Sequence, residues 1–416
     1  MKPFATAFGR IGTENAFAVG PEISGWVKRG YDIVRMNIGE PGCNITNASM
    51  LSAIASFRRH ETHYTPSQGL ESLRREIAQY MSASRFVKYE ADDVVATPGG
   101  KPVIAGTIFI LVNPGEEVIY PTPGYPIYES MVDYIGAKGV PIELKEKKGF
   151  RFDIEDLKKL ISKKTKLLIL NSPSNPTGGV LEEEDMREIA LLAKKYDFYI
   201  LSDECYSRLA FGKEGIKTAH FKGNKLPVTP SIASQKDMAK RTVILDAFSK
   251  TYAMTGLRVG YAISKNKQFM SKFLTFAINI WSCLPQPLML CAEASLGKDQ
   301  RETQKEVASY LEKRDVVVPA LNKIKGIRCR SPKGSFYLFP NVTKACRNLG
   351  LRNAEEMRKY LLTYDKKNKK GVAVLSRIHF GKRLPSEKEE YIRISFAGSL
   401  ESLTEGVKRI KEAVEK

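Results

Sequence analysis

From residue 92 onward, short apolar runs alternate with stretches whose apolar positions recur every three or four residues. The runs are 94–97, 117–120, 139–144, 166–171, 198–202, 242–247 and 259–263, rich in Val, Ile and Leu and of strand length. Continuous apolar runs separated by helical patterns predict βαβ units, and so an α/β fold with a mostly parallel central sheet flanked by helices. Ahead of them, 44–58 and 67–83 read as helices, the second with apolar positions at Leu70, Leu73, Ile77 and Tyr80 or Met81. The stretch 211–240 is polar and poor in pattern, which predicts an excursion over the surface. Then 301–324 reads as one long amphipathic helix, 336–339, 371–375 and 391–396 as strands, and 400–414 as a final helix. This change of layout predicts a smaller α+β domain. The expected division is a large domain over 45–295 and a small domain from 1–44 and 296–416.

Composition narrows the class. The 416 residues are 43% hydrophobic and 27% charged, ordinary for a globular protein of this length. No apolar run approaches the roughly 18 residues of a membrane helix, and residues 1–20, with Arg10 and Glu14, lack the apolar core of a secretory signal. A cytoplasmic protein is therefore expected. The six cysteines form no CxxC pair and the four histidines no ligand spacing, so neither a disulfide framework nor a metal site is predicted. A net charge of +20 raises the question of nucleic acid. The lysines, however, fall in short groups beside acids, which fits better a basic face of an enzyme that takes anionic ligands; no nucleic-acid partner is expected.

The candidate chemistry lies where the strands should end, because open α/β sheets bind ligands there. Lys250 follows the run 242–247, with Ser249 before it and Arg258 eight residues beyond. Thr97-Pro98-Gly99-Gly100-Lys101 ends one strand and opens a helix, where backbone N–H groups can hold a phosphate. Asn171 to Gly178 holds two prolines around Asn175 at another strand end, and Asp203 and Tyr206 stand three apart at the next. Tyr125 follows Pro121-Thr122-Pro123-Gly124.

In order and spacing, from Gly39-Glu40-Pro41 to Arg393-Ile394-Ser395-Phe396-Ala397, these stretches resemble the aminotransferase class I family, the pyridoxal-phosphate enzymes of fold type I, in its aspartate and aromatic aminotransferase-like branch. The resemblance implies that Lys250 holds pyridoxal 5'-phosphate as a Schiff base and later shuttles a proton. It implies that Asp203 pairs with the pyridine nitrogen and that Tyr206 and Asn175 meet the phenolic oxygen. Arg258, Gly99, Gly100, Lys101 and, more weakly, Ser249 would take the phosphate, and Tyr125 would stack on the ring. Tyr64 would reach the phosphate from the neighbouring subunit of a homodimer. Arg393 would bind the substrate carboxylate, helped by Gly39 and Asn175.

Departures from the family pattern bear on specificity. Ala247 stands three before the lysine, Gly42-Cys43 follow Gly-Glu-Pro, and Leu375-Ser376-Arg377 precede His379. Arg377 or His379 is a candidate acceptor for an acidic side chain, or else faces solvent or the dimer contact. The activity expected is amino-group transfer between an L-amino acid and a 2-oxo acid in two half-reactions, with 2-oxoglutarate and glutamate as one pair. The rival is another reaction of the same fold: a lyase, an oxidase or a cyclopropane-forming synthase. A regulator with an aminotransferase-like domain is disfavoured, because too few residues precede Gly39 for a DNA-binding domain.

Overall fold

A computed structural model describes residues 3–12, 15–212 and 215–416; of residues 15–18 only the backbone is described. The central sheet has seven strands. From one edge they are Val94–Thr97, Gly260–Ile263, Thr242–Ala247, Tyr199–Asp203, Thr165–Asn171, Glu117–Thr122 and Lys138–Glu143. The strands run parallel except Gly260–Ile263, which is antiparallel to both neighbours. The α/β class with a mostly parallel sheet flanked by helices is therefore as expected.

Parallel strands are apolar along their length because helices cover both faces. Leu168, Leu170 and Ile200 pack into one core with Ile189 and Ala193 of the helix Glu183–Tyr196. Leu167, Ile169, Leu201, Val243 and Leu245 face the opposite way, against Ile104 and Ile108 of the helix Lys101–Leu111 and Phe273 of Lys267–Ile280. Alternate residues of one strand thus serve two cores.

Two expectations need correction. The stretch 211–240 is no bare excursion: Lys217–Phe221 and Asn224–Val228 form a hairpin. Lys222 and Gly223, both at positive φ (49° and 82°), make its two-residue turn. Its buried Ala219, Phe221, Leu226 and Val228 cover Tyr80 of the helix Glu71–Arg85. The second correction concerns 371–375, which splits in two. Lys370–Ala373 pairs in parallel with Asp32–Arg35, near the other end of the chain, whereas Leu375–Ser376 joins Ile392–Ser395 and Tyr337–Leu338 in an antiparallel trio. Helices Arg301–Asn322 and Leu400–Val414 pack behind these strands. No described helix is long and apolar enough to cross a membrane.

Candidate active site

The register of the sheet sets residues from separate motifs side by side. Asn171 pairs with Asp203 and Asp203 with Leu245, all at the carboxyl ends of neighbouring parallel strands. Two residues past Leu245 the strand ends at Ala247, and the short helix Phe248–Thr251 carries Ser249 and Lys250. A cavity of about 600 Å³ opens over these ends. Its wall includes Gly39, Gly100, Lys101, Tyr125, Asn175, Asp203, Tyr206, Ser249, Lys250, Arg258 and Arg393.

Asp203 is buried at the floor, where loss of water raises its carboxyl above the ordinary range. The Tyr128 hydroxyl donates to its Oδ2 at 2.6 Å and the Cys205 N–H to its Oδ1 at 3.3 Å, and both oppose that rise. A buried acid held by two donors and facing a cavity suits a cationic partner, whose charge would favour the carboxylate.

Across the cavity lies an anion cradle. Gly100 caps the helix Lys101–Leu111, whose first turn, with Pro102 inside it, brings the positive end of the helix dipole to the cavity wall at Gly100 and Lys101. Arg258 holds a positive φ of 55°, an uncommon backbone state for a side-chain-bearing residue, and its Nη1 donates to the Thr255 carbonyl at 2.7 Å. Its guanidinium lies over Gly99, where φ is +80° and an added Cβ would sit 2.3 Å from Arg258 Nη2. A side chain there would displace the tip of that fork and strain a backbone held at positive φ.

Lys250 stands between the two ends. Its Nζ donates to the Gly39 carbonyl at 2.7 Å and lies 5.9 Å from the Tyr206 ring centre. The Arg393 guanidinium is buried; Nη1 donates to Asn175 Oδ1 at 3.0 Å, Nη2 to the Asn37 carbonyl at 2.6 Å, and the group stacks 4.4 Å over Tyr337. Asn171 in turn accepts from the Asn175 N–H at 2.8 Å, fixing the proline-flanked turn to the sheet. The peptides before Pro173 and Pro176 are cis.

Other expected residues lie elsewhere. Tyr64 is 93% exposed and does not line this cavity. Arg377 is fully buried but turned from the cavity: Nε and Nη2 donate to the Glu387 carboxylate, both at 2.7 Å, and Nη2 to Thr122 Oγ1 at 2.8 Å. His379 is buried beside Ser376, with Glu355 at 4.0 Å. Neither lines the cavity, and Arg377 is already occupied by Glu387, so the reading of either as acceptor for an acidic substrate is corrected. Both instead shape the 375–381 segment, at neither of the places first weighed, the solvent or a dimer contact.

Among the lining residues not singled out from the sequence are Asn37, Tyr128, Cys205 and Tyr337. Tyr128 stands one helical turn beyond Tyr125, a spacing that could have drawn attention to it. Nothing local marks Tyr337, because its value depends on the pairing of its strand with the one carrying Arg393. Among the described residues no cluster of three His, Cys, Asp or Glu could hold a metal.

Comparison with known proteins agrees with this geometry. The family model "Aminotransferase class I and II" matches residues 32–410. The chain is similar to the putative aminotransferase YugH of Bacillus subtilis, 34% identical, with 92% of each chain covered. It is similar to the aspartate aminotransferase of the same organism at 32% identity, covering 93% of this chain and 92% of the relative. Among solved structures, an aspartate aminotransferase from Thermus thermophilus with maleate has the same fold, with a TM-score of 0.88, 24% identity and 99% and 100% coverage of this chain and that one. An aromatic aminotransferase from Pyrococcus horikoshii gives 0.82 at 29% identity, with 94% and 98% covered. The chain therefore belongs to the aminotransferase class I and II family and is an aminotransferase of its pyridoxal-phosphate-dependent kind.

Proposed function

We propose that this chain binds pyridoxal 5'-phosphate in the described cavity and moves an amino group between an L-amino acid and a 2-oxo acid by a ping-pong sequence. The single observation that carries the proposal is the convergence of Lys250, buried Asp203, the Gly99–Arg258 cradle and Arg393 on one cavity. The donor set fits the cofactor: a buried carboxylate for a ring nitrogen, a cationic fork and helix end for a phosphate, and an amine between them. When bound, the cofactor supplies an electron sink for the bonds at the substrate Cα.

The chain's own groups do the rest. Lys250 Nζ would hold the cofactor covalently and, once released by the substrate amine, take and return the proton at Cα. Asp203 would keep the ring nitrogen protonated. Tyr206 and Asn175 would donate to the phenolic oxygen, Ser249, Gly100 and Lys101 would add phosphate contacts, and Tyr125 would cover the ring. Arg393, already aimed by Asn175 and Asn37, would grip the substrate carboxylate through its planar fork.

Glutamate and 2-oxoglutarate are proposed as one substrate pair. Lys101, Lys250, Arg258 and Arg393 give the cavity a basic wall, and relatives bear the names aspartate aminotransferase and aspartate/prephenate aminotransferase. Tyr64 is proposed to serve the cavity of a second copy in a homodimer, a reading supported by its 93% exposure.

Borohydride reduction of the loaded protein, followed by peptide mapping, tests the assignment. The label is expected on Lys250; a label on another lysine, or none, would overturn it.

A further inference from the structure

Tyr337 touches Arg393, Tyr206 and Gly39, three of the residues placed at the carboxylate and lysine ends of the cavity. Its hydroxyl lies 3.0 Å from that of Tyr206. Its ring lies under the Arg393 guanidinium. The hydroxyl also abuts Gly39 so closely that a Cβ there would sit 1.8 Å from it, and the Gly39 carbonyl is the acceptor for Lys250 Nζ. The residue is 2% exposed, and its strand pairs Tyr337 with Ser395, two positions from Arg393. It therefore has no freedom to turn away.

We infer that the Tyr337 hydroxyl is a positioning group that sets Tyr206 as a hydrogen-bond donor and joins the carboxylate end of the cavity to the lysine end. This rests on the proposed contact between Tyr206 and the cofactor's phenolic oxygen. A phenol has one proton to give. When Tyr206 donates it to a ligand oxygen, the only role left to the 3.0 Å contact is acceptance from Tyr337. The proton order is then fixed, and a donor that is itself accepting a hydrogen bond is strengthened. The charged and titratable groups facing this pair are Lys250 and Arg393 on one side, Asp203 and Cys205 on the other. Tyr337→Phe removes the hydroxyl oxygen and keeps the ring on which the Arg393 guanidinium lies.

Tyr337→Phe tests this in the loaded enzyme by pH titration of the bound cofactor's absorbance. A weaker Tyr206 donor leaves the phenolic oxygen more basic, so the midpoint should rise by about half a pH unit or more, the scale of one weakened hydrogen bond. In a Tyr206→Phe background the second change should add nothing, because its route is gone. An unmoved midpoint, or a shift that adds in full to that of Tyr206→Phe, overturns the inference. A purely structural role would lower the melting temperature and leave the midpoint where it was, which also counts against it. If Tyr337→Phe does not fold, 3,5-difluorotyrosine at 337, a stronger donor, should lower the midpoint; no change or a rise has the same negative meaning. A wild-type protein with no bound-cofactor absorbance would instead defeat the functional proposal.

Discussion

Arg377 and His379 show at the scale of single residues how a charge earns a structural place. Arg377 lies in the interior with its guanidinium filled by Glu387, Thr122 and three main-chain carbonyls, those of Phe380, Gly381 and Lys382. Removing one partner of such a pair strands the other charge and typically costs about 3–5 kcal/mol. Glu387→Gln should therefore lower the denaturation midpoint and leave the preference among amino donors as it was; an altered preference with unaltered stability would contradict this placement. His379 behaves as a buried base. Burial lowers its pKa below the ordinary 6.5, so the unfolded chain takes up a proton at a pH where the folded one does not. Its contribution to stability is thus complete above about pH 6.5 and is lost as the pH falls below that value. Melting curves from pH 7 downward should show a steeper acid loss for the wild type than for His379→Gln, and parallel curves would refute the assignment.

At the scale of elements, strand ends decide where chemistry occurs. The parallel register puts Asn171, Asp203 and the approach to Lys250 at one height, and the glycine pair that opens Lys101–Leu111 admits the Arg258 fork. Gly99→Ala places a methyl group 2.3 Å from Arg258 Nη2 on a backbone at φ +80°. Calorimetric titration with pyridoxal phosphate should show affinity falling by roughly tenfold or more, the value of one charge-assisted hydrogen bond. Unchanged affinity would remove Arg258 from the cradle. The strands of the central sheet were legible because each is a continuous apolar run, and Lys250, Asp203 and Asn175 were legible because each follows such a run directly. The hairpin over 217–228 was not, since its short alternating strands lie in a polar, lysine-rich stretch and its Lys-Gly turn is a weak signal. The pairing of Asp32–Arg35 with Lys370–Ala373 was beyond reach for another reason: partners that far apart in the chain are chosen by tertiary packing, which leaves no local period.

At the scale of the whole molecule, an exposed aromatic and a basic interior wall await partners of different kinds. Tyr64 is exposed and does not line the described cavity of its own chain, so its proposed role requires a second copy. Tyr64→Phe should weaken pyridoxal-phosphate binding while sedimentation reports the same assembly as for the wild type; a wild-type binding constant would take Tyr64 out of the site. The net charge of +20 has a functional counterpart in the four cations around the cavity, where anionic phosphate and carboxylate groups would be neutralised. Resemblance along the chain and the convergence of its residues in space identify the family, yet several reactions at Cα use such a cavity, and they differ in what happens to the amino group. The most direct measurement is therefore a single half-reaction: glutamate added alone to the loaded enzyme, with the cofactor's absorbance followed. The proposed function predicts stoichiometric conversion of the chromophore with one equivalent of 2-oxoglutarate formed, and its full return when a 2-oxo acid is supplied. Release of ammonia with the original absorbance restored in the absence of any 2-oxo acid would contradict it.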